Sequence, residues 1–256
     1  WEAGVWTQTR ERWEAEGLDF NLLHWDWFPG EDALEMDPRE FIRFHGGILP
    51  PFAEETLEED ERTVTFRDAV GRVRRALKDG TLEGMRMSMD QYLRFPVETM
   101  QDWQAMKHRF DSHTRRRMEP NWSVIRPEGW RKRSWPLIFG PNCSTLGFYW
   151  FARDLMGTEA LSLAWYDQPL LLHEVMEWYT ELIIETVRPV LEKVQPDYFM
   201  FNEDLSAKSG PLLSPKTYRT FIHARRRRII DMMKGMGVRY VIMDSDGDPT
   251  KLLDQM

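Results

Sequence analysis

The stretch that decides the fold runs from Pro196 to Asp248. It opens with Pro196-Asp197-Tyr198-Phe199-Met200-Phe201-Asn202-Glu203-Asp204 and closes with Val238-Arg239-Tyr240-Val241-Ile242-Met243-Asp244-Ser245-Asp246-Gly247-Asp248. The apolar segments Tyr198 to Phe201 and Val238 to Met243 are too short for helices, and each runs straight into acidic residues, so both read as buried strands. Between them Ser214 can cap, and Pro215 can begin, a helix whose apolar face is Tyr218, Phe221, Ile222, Ile229, Met232 and Met233. Gly235 and Gly237 can end it. Strand, helix and strand in that order make a right-handed crossover between two parallel strands. Asn202, Glu203 and Asp204 then emerge on the same rim as Asp244, Ser245, Asp246 and Asp248. Neighbouring strands lie about 4.8 Å apart, so these side chains can meet over one opening. In parallel α/β folds that rim carries the chemistry. Clustered carboxylates repel one another, which calls for a metal ion, a cationic substrate group or a shared proton. The ordinary role of such residues is to cap a helix or solvate a loop, and what favours chemistry is their repetition on two strands.

The same residues carry a resemblance. Phe201-Asn202-Glu203-Asp204, Lys208-Ser209-Gly210-Pro211-Leu212-Leu213-Ser214-Pro215 and Val241-Ile242-Met243-Asp244-Ser245-Asp246-Gly247-Asp248 together resemble the uroporphyrinogen decarboxylase superfamily, nearer its corrinoid-linked methyltransferase branch. The resemblance implies an α/β fold of the (β/α)8 TIM-barrel type. It implies Glu203, Asp204, Asp244 and Asp246 as catalytic residues, Asn202, Ser245 and Asp248 as substrate-binding residues, and Glu203, Asp244 and Asp246 as ligands of a divalent metal, zinc in that branch. It also implies a small-molecule substrate and a corrinoid carried by a partner protein. In that branch the segment equivalent to Asp244-Ser245-Asp246-Gly247 reads His-x-Cys-Gly. Here Asp244 and Asp246 replace the histidine and the cysteine, so the thiolate of the usual zinc site is absent. Relatives place a segment like His24-Trp25-Asp26-Trp27-Phe28 at the barrel mouth, which makes Trp25 and Trp27 substrate-binding candidates. The decarboxylase itself, which needs no cofactor, carries a Gly-Phe-x-Gly-x-Pro-Phe-Thr-Leu motif that Gly140, Pro141, Thr145 and Leu146 match only loosely. Members of the family are longer at both ends, so a chain beginning at Trp1 and stopping at Met256 reads as an incomplete barrel.

Composition sets the outer bounds. The 256 residues suffice for one large domain. A net charge of −8 argues against nucleic acid as the main partner, and Arg115-Arg116-Arg117 and Arg225-Arg226-Arg227-Arg228 read as solvated helix faces. Cys143 is the only cysteine, which excludes internal disulfides and multi-cysteine metal sites and suits a reducing cytoplasm. No stretch approaches the roughly 18 apolar residues of a membrane span.

Along the chain, Thr7 to Glu16 reads as a short helix stopped by Gly17. Leu22 to Trp25 reads as a strand, and residues 52–95 as a β-rich insertion in which Met85, Met87 and Met89 alternate with polar residues on a packed inner face. A helix from Thr99 carries Trp103, Met106 and Phe110. Arg115 to Trp135 reads as a polar loop and Trp135 to Phe139 as a strand. Phe148 to Met156 and Thr158 to Trp165 are short helices. The run from Pro169 through Leu191 is a long amphipathic helix that Pro189 should kink or divide, with His173 exposed.

Overall fold

The computed structural model describes residues 7–18, 37–79, 81–82, 85–86, 89–140 and 147–256. His24, Trp25, Asp26, Trp27, Met87 and Cys143 lie outside them, as does the strand expected over Leu22 to Trp25. The chain divides into two compact units, residues 1–37 with 50–96 and residues 38–49 with 97–256.

The first unit contains an antiparallel sheet in the order Glu55–Glu59, Thr63–Arg67, Val73–Leu77, Gln91–Arg94. Its turns are set by aspartates. Asp60 accepts the backbone N–H groups of Arg62 and Thr63 at 2.7 and 2.6 Å, while Asp68 accepts those of Val70 and Arg72 at 3.1 and 2.9 Å. Arg74 lies 5.1 Å from the Tyr92 ring centroid and 2.5 Å from the buried carboxylate of Asp90, so one guanidinium serves both the ring and the charge. Met89, expected on a packed face, is 74 % exposed. It falls between strands, where the alternation that would turn it inward has stopped. The helix Thr7–Ala15 ends ahead of Gly17, whose φ of +101° suits glycine.

The second unit is built on a parallel sheet of four strands, β1 (Glu40–Ile42), β2 (Leu137–Phe139), β3 (Tyr198–Asn202) and β4 (Tyr240–Asp244), in that spatial order. Among the described residues the sheet is open and no barrel closes. β1 was not foreseen: three residues with only Ile42 fully buried carry too weak a pattern. β2 and β3 are central and read as continuous apolar runs, as strands covered on both faces do. Phe139 stacks on Phe199 at 5.6 Å, and both are fully buried. Each such ring contributes about 2–3 kcal/mol by leaving water. β4 departs from expectation. Tyr240 and Ile242 are 64 % and 43 % exposed, because β4 is the edge of the sheet and pairs on one side only.

Helices α1 (Phe148–Met156), α2 (Thr158–Asp167) and α3 (Pro169–Leu191) pack on one another, with Tyr179 of α3 stacked on Phe151 of α1 at 4.1 Å and edge-on to Phe148 at 5.4 Å. Pro189 does not divide α3, since it falls in the last turn and removes one donor near an end that frays in any case. His173 is half-buried rather than exposed, its ring 4.5 Å from that of Phe221. The crossover from β3 to β4 runs through α4, α-helical over Pro215–Tyr218, π-helical over Arg219–His223 and α-helical over Ala224–Gly235. Ser214 caps it by accepting the Thr217 N–H at 3.0 Å. Tyr218, Phe221, Ile222, Ile229 and Met233 are buried as their spacing requires.

Two arginine runs are not wholly solvated. Arg117 is buried and donates to the carbonyls of His45, Gly47, Arg109 and Asp111. The stretch Arg115 to Trp135 is partly helical, over Trp122–Ile125 and Pro127–Lys132, because Pro127 occupies a first helical position, where its missing N–H costs nothing. Among the described residues no helix is long and apolar enough to cross a membrane.

Candidate functional site

β3 and β4 pair in parallel, with Asn202 opposite Asp244, so the segments that follow them leave the sheet side by side. The Glu203 N–H donates to the Asp244 carbonyl at 2.8 Å, which carries the pairing one residue past the strands. Beyond that point adjacent residues separate. Glu203 turns inward and is fully buried, whereas Asp204, at φ +45°, turns to the rim.

Glu203 is buried beneath the rim, which corrects the expectation that it lines the site. Its carboxylate accepts the backbone N–H of Tyr149, in the first turn of α1, at 2.8 Å and is ion-paired with Arg226 of α4. Arg226 is 3 % exposed and donates also to the Tyr218 hydroxyl, with the rings of Tyr218 and Phe201 at 5.2 and 5.4 Å. Burial pulls its pKa down to about 9, so the guanidinium stays charged at neutral pH. This ion pair locks α1, α4 and β3 to one another directly beneath the rim. Gly147 makes the approach possible. A Cβ there would lie 1.9 Å from the Asn202 carbonyl oxygen.

The rim itself holds Asp204, Asp244 and Asp246. Asp204 Oδ1 accepts the Asp246 N–H at 3.4 Å, and Arg153 of α1 reaches Asp204 Oδ2 at 3.5 Å. The pKa of Asp244 is raised, first by partial burial and then by the negative charges of Asp204 and Asp246. Asp244 therefore feels both neighbouring charges, and the Arg153 guanidinium, 4.2 Å from the Trp150 ring centroid, reaches the carboxylate of Asp204. Such a rim favours a cation.

The other candidates have different tasks. Ser245 Oγ accepts the Leu205 N–H at 3.2 Å and donates to the Asp246 carbonyl at 3.1 Å, tying the two rim segments together. Asp248 points away from the cluster and caps the final turn by accepting the Thr250 N–H at 2.9 Å. Asn202 is half-buried, and its side-chain oxygen is buried without a hydrogen-bond partner. Trp25 and Trp27 lie outside the described residues. Gly247, at φ +79°, lets the rim loop pass tightly over Ala207, whose carbonyl accepts the Asp248 N–H at 3.0 Å.

Zinc of the thiolate kind does not fit these residues. The donors at the rim are all carboxylate oxygens, Glu203 is committed to Arg226, and among the described residues no three His, Cys, Asp or Glu side chains gather as a metal would need.

Sequence reasoning missed Arg226, Tyr149 and Arg153. Arg226 was legible: it stands four residues after Ile222 and three before Ile229, on the apolar face of α4, whereas Arg225 and Arg228 face Glu177 on α3. Tyr149 acts through its backbone, which no side-chain pattern reports.

No family model matches the chain, and no curated protein matches it. Among solved structures the chain is similar to a methyltransferase from Methanosarcina mazei, at 14 % identity and a TM-score of 0.41, over 68 % of this chain and 48 % of that one. The chain thus spans about half the length of that structure.

Proposed function

We propose that the chain belongs to an enzyme of the uroporphyrinogen decarboxylase superfamily that transfers a methyl group from a small cationic donor, with Asp204, Asp244 and Asp246 orienting the donor. The observation that supports this reading is the placement of Asp204 and Asp246 beside Asp244 at the tips of adjacent parallel strands, close enough for their charges to act on it. A cation at that position relieves the repulsion that Asp204 and Asp246 exert on Asp244. The chain's own residues supply binding and orientation: Arg153 fixes Asp204, Ser245 fixes the loop, and the Glu203–Arg226 pair holds the frame rigid. A corrinoid on a partner protein would accept the methyl group in this reading. The superfamily's barrel fold belongs to the same proposal. Tetrapyrrole decarboxylation is the weaker alternative, since a substrate bearing many carboxylates meets a rim of like charge.

The test is transfer of a 13C-labelled methyl group from tetramethylammonium or a methylated amine to added reduced cobalamin, followed by NMR, with Asp244→Asn and Asp246→Asn beside the wild type. Transfer that falls at least tenfold in both variants supports the proposal. Turnover of uroporphyrinogen instead, or transfer undiminished in both variants, refutes it, and binding of the amine without transfer identifies a non-catalytic member.

A further inference from the structure

On the flank of the second unit, apart from the rim carboxylates, a groove of about 370 Å³ lies between α2, the segment Ser209 to Pro215 and the final turn. Its volume is at the lower end of the range for small-ligand sites. Trp165 and Leu213 are buried within its walls, while Tyr166 and Leu212 remain exposed apolar surface at its mouth. Lys251 is the charged residue of the lining, which contains no carboxylate. Lys251 contributes to lowering the pKa of Asp248, yet its ammonium makes no hydrogen bond or ion pair among the described residues. A solvent-exposed ammonium beside apolar surface, in a lining without a carboxylate, favours a ligand with an apolar body and one negative end.

In the sequence, Ser214 and Pro215 begin α4, while Ser209-Gly210-Pro211-Leu212-Leu213 enters only through the family resemblance. The structure gives it one wall of this groove. Gly210, at φ +122°, closes the short antiparallel pair Ser206–Ala207 with Gly210–Pro211, and a Cβ placed on it would stand 4.0 Å from Lys251 Nζ. The turn that a glycine permits thus presents the wall to the lysine.

We propose that this groove binds a small amphipathic carboxylate, its flat or aliphatic body between Tyr166 and Leu212 and its anionic end on Lys251. The site is independent of methyl transfer at the rim. Ser209 supplies a further hydroxyl beside the anion.

The experiment is calorimetric or ligand-observed NMR titration of the full chain with 4-phenylbutyrate, with 4-phenylbutanol and acetate as probes lacking the charge and the body respectively. A dozen non-hydrogen atoms at ordinary ligand efficiency give a Kd of about 1 mM for the carboxylate. Lys251→Gln should weaken it roughly fivefold and leave the alcohol unchanged, because one charge-assisted hydrogen bond at a half-open site is lost. Leu212→Glu, at an exposed position that the fold tolerates, should weaken the carboxylate more than the alcohol. Absence of 4-phenylbutyrate binding up to about 10 mM, equal affinity for the alcohol, or unchanged affinity in Lys251→Gln would overturn the proposal.

Discussion

Replacing Arg226 by methionine removes the cation from beneath the rim and leaves Glu203 buried with a single hydrogen bond, from the Tyr149 N–H. Both partners are almost wholly shielded from water, so solvent does not screen the loss. Stripping one member from such a pair costs about 3–5 kcal/mol, mainly the penalty of an uncompensated buried charge. For a chain of this size each kcal/mol moves Tm by roughly 2–4 °C, so Arg226→Met should melt about 6–20 °C lower than wild type. Glu203→Leu should cost a similar amount for the mirror reason. The double variant is the informative one: with both charges gone the cavity is apolar, and the loss should be well below the sum of the two single losses. What it keeps is about 1–3 kcal/mol for each group left without a partner, the Tyr149 N–H and the Tyr218 hydroxyl. Differential scanning calorimetry with urea titration at pH 7 reads all three variants. Arg226→Met costing under about 1 kcal/mol, the value of an exposed pair, or strictly additive losses would refute the reasoning.

Gly147→Ala should destabilise by about 2 kcal/mol or more, read as a lower urea midpoint, because the new methyl group meets backbone at Asn202 and not a side chain that can move. Ser214→Ala should cost about 1 kcal/mol by removing the cap of α4, while Ser214→Asp should preserve most of it. Asp244→Asn should stabilise the chain at pH 7. A carboxyl whose pKa is raised on folding favours the folded state below its unfolded pKa and loses that contribution as pH rises through the folded value, so the gain from Asp244→Asn should shrink as urea titrations move from pH 7 towards pH 4.

What the sequence made legible was local and periodic. The strands Tyr198 to Phe201 and Val238 to Met243, the Ser214 cap and the apolar face of α4 each follow from patterns that neighbouring residues state without help, and parallel pairing followed from their order. The rim placement of Asp204, Asp244 and Asp246 came with that pairing. Burial did not. Whether β4 is covered depends on its position in the sheet, which is set by distant segments, and Tyr240 and Ile242 are exposed for that reason. Glu203 was grouped with Asp204 because they are adjacent, yet adjacency past a strand sends side chains to opposite sides. Its partner lies 23 positions away in a run of four arginines, where only helical phase distinguishes the buried one. Pro189 was misjudged because its effect depends on distance from the helix end, which the periodic pattern of α3 alone leaves open.

The central claim is that Asp204 and Asp246 place their negative charges beside Asp244 at one rim of the sheet. Carbon-detected NMR titration of the Asp244 carboxyl tests it most directly. The account predicts a pKa above the ordinary aspartate value in wild type that falls in Asp246→Asn and falls again when Asp204→Asn is added, since each substitution removes a neighbouring negative charge. An Asp244 that titrates as an isolated aspartate, or that is indifferent to both substitutions, would contradict it.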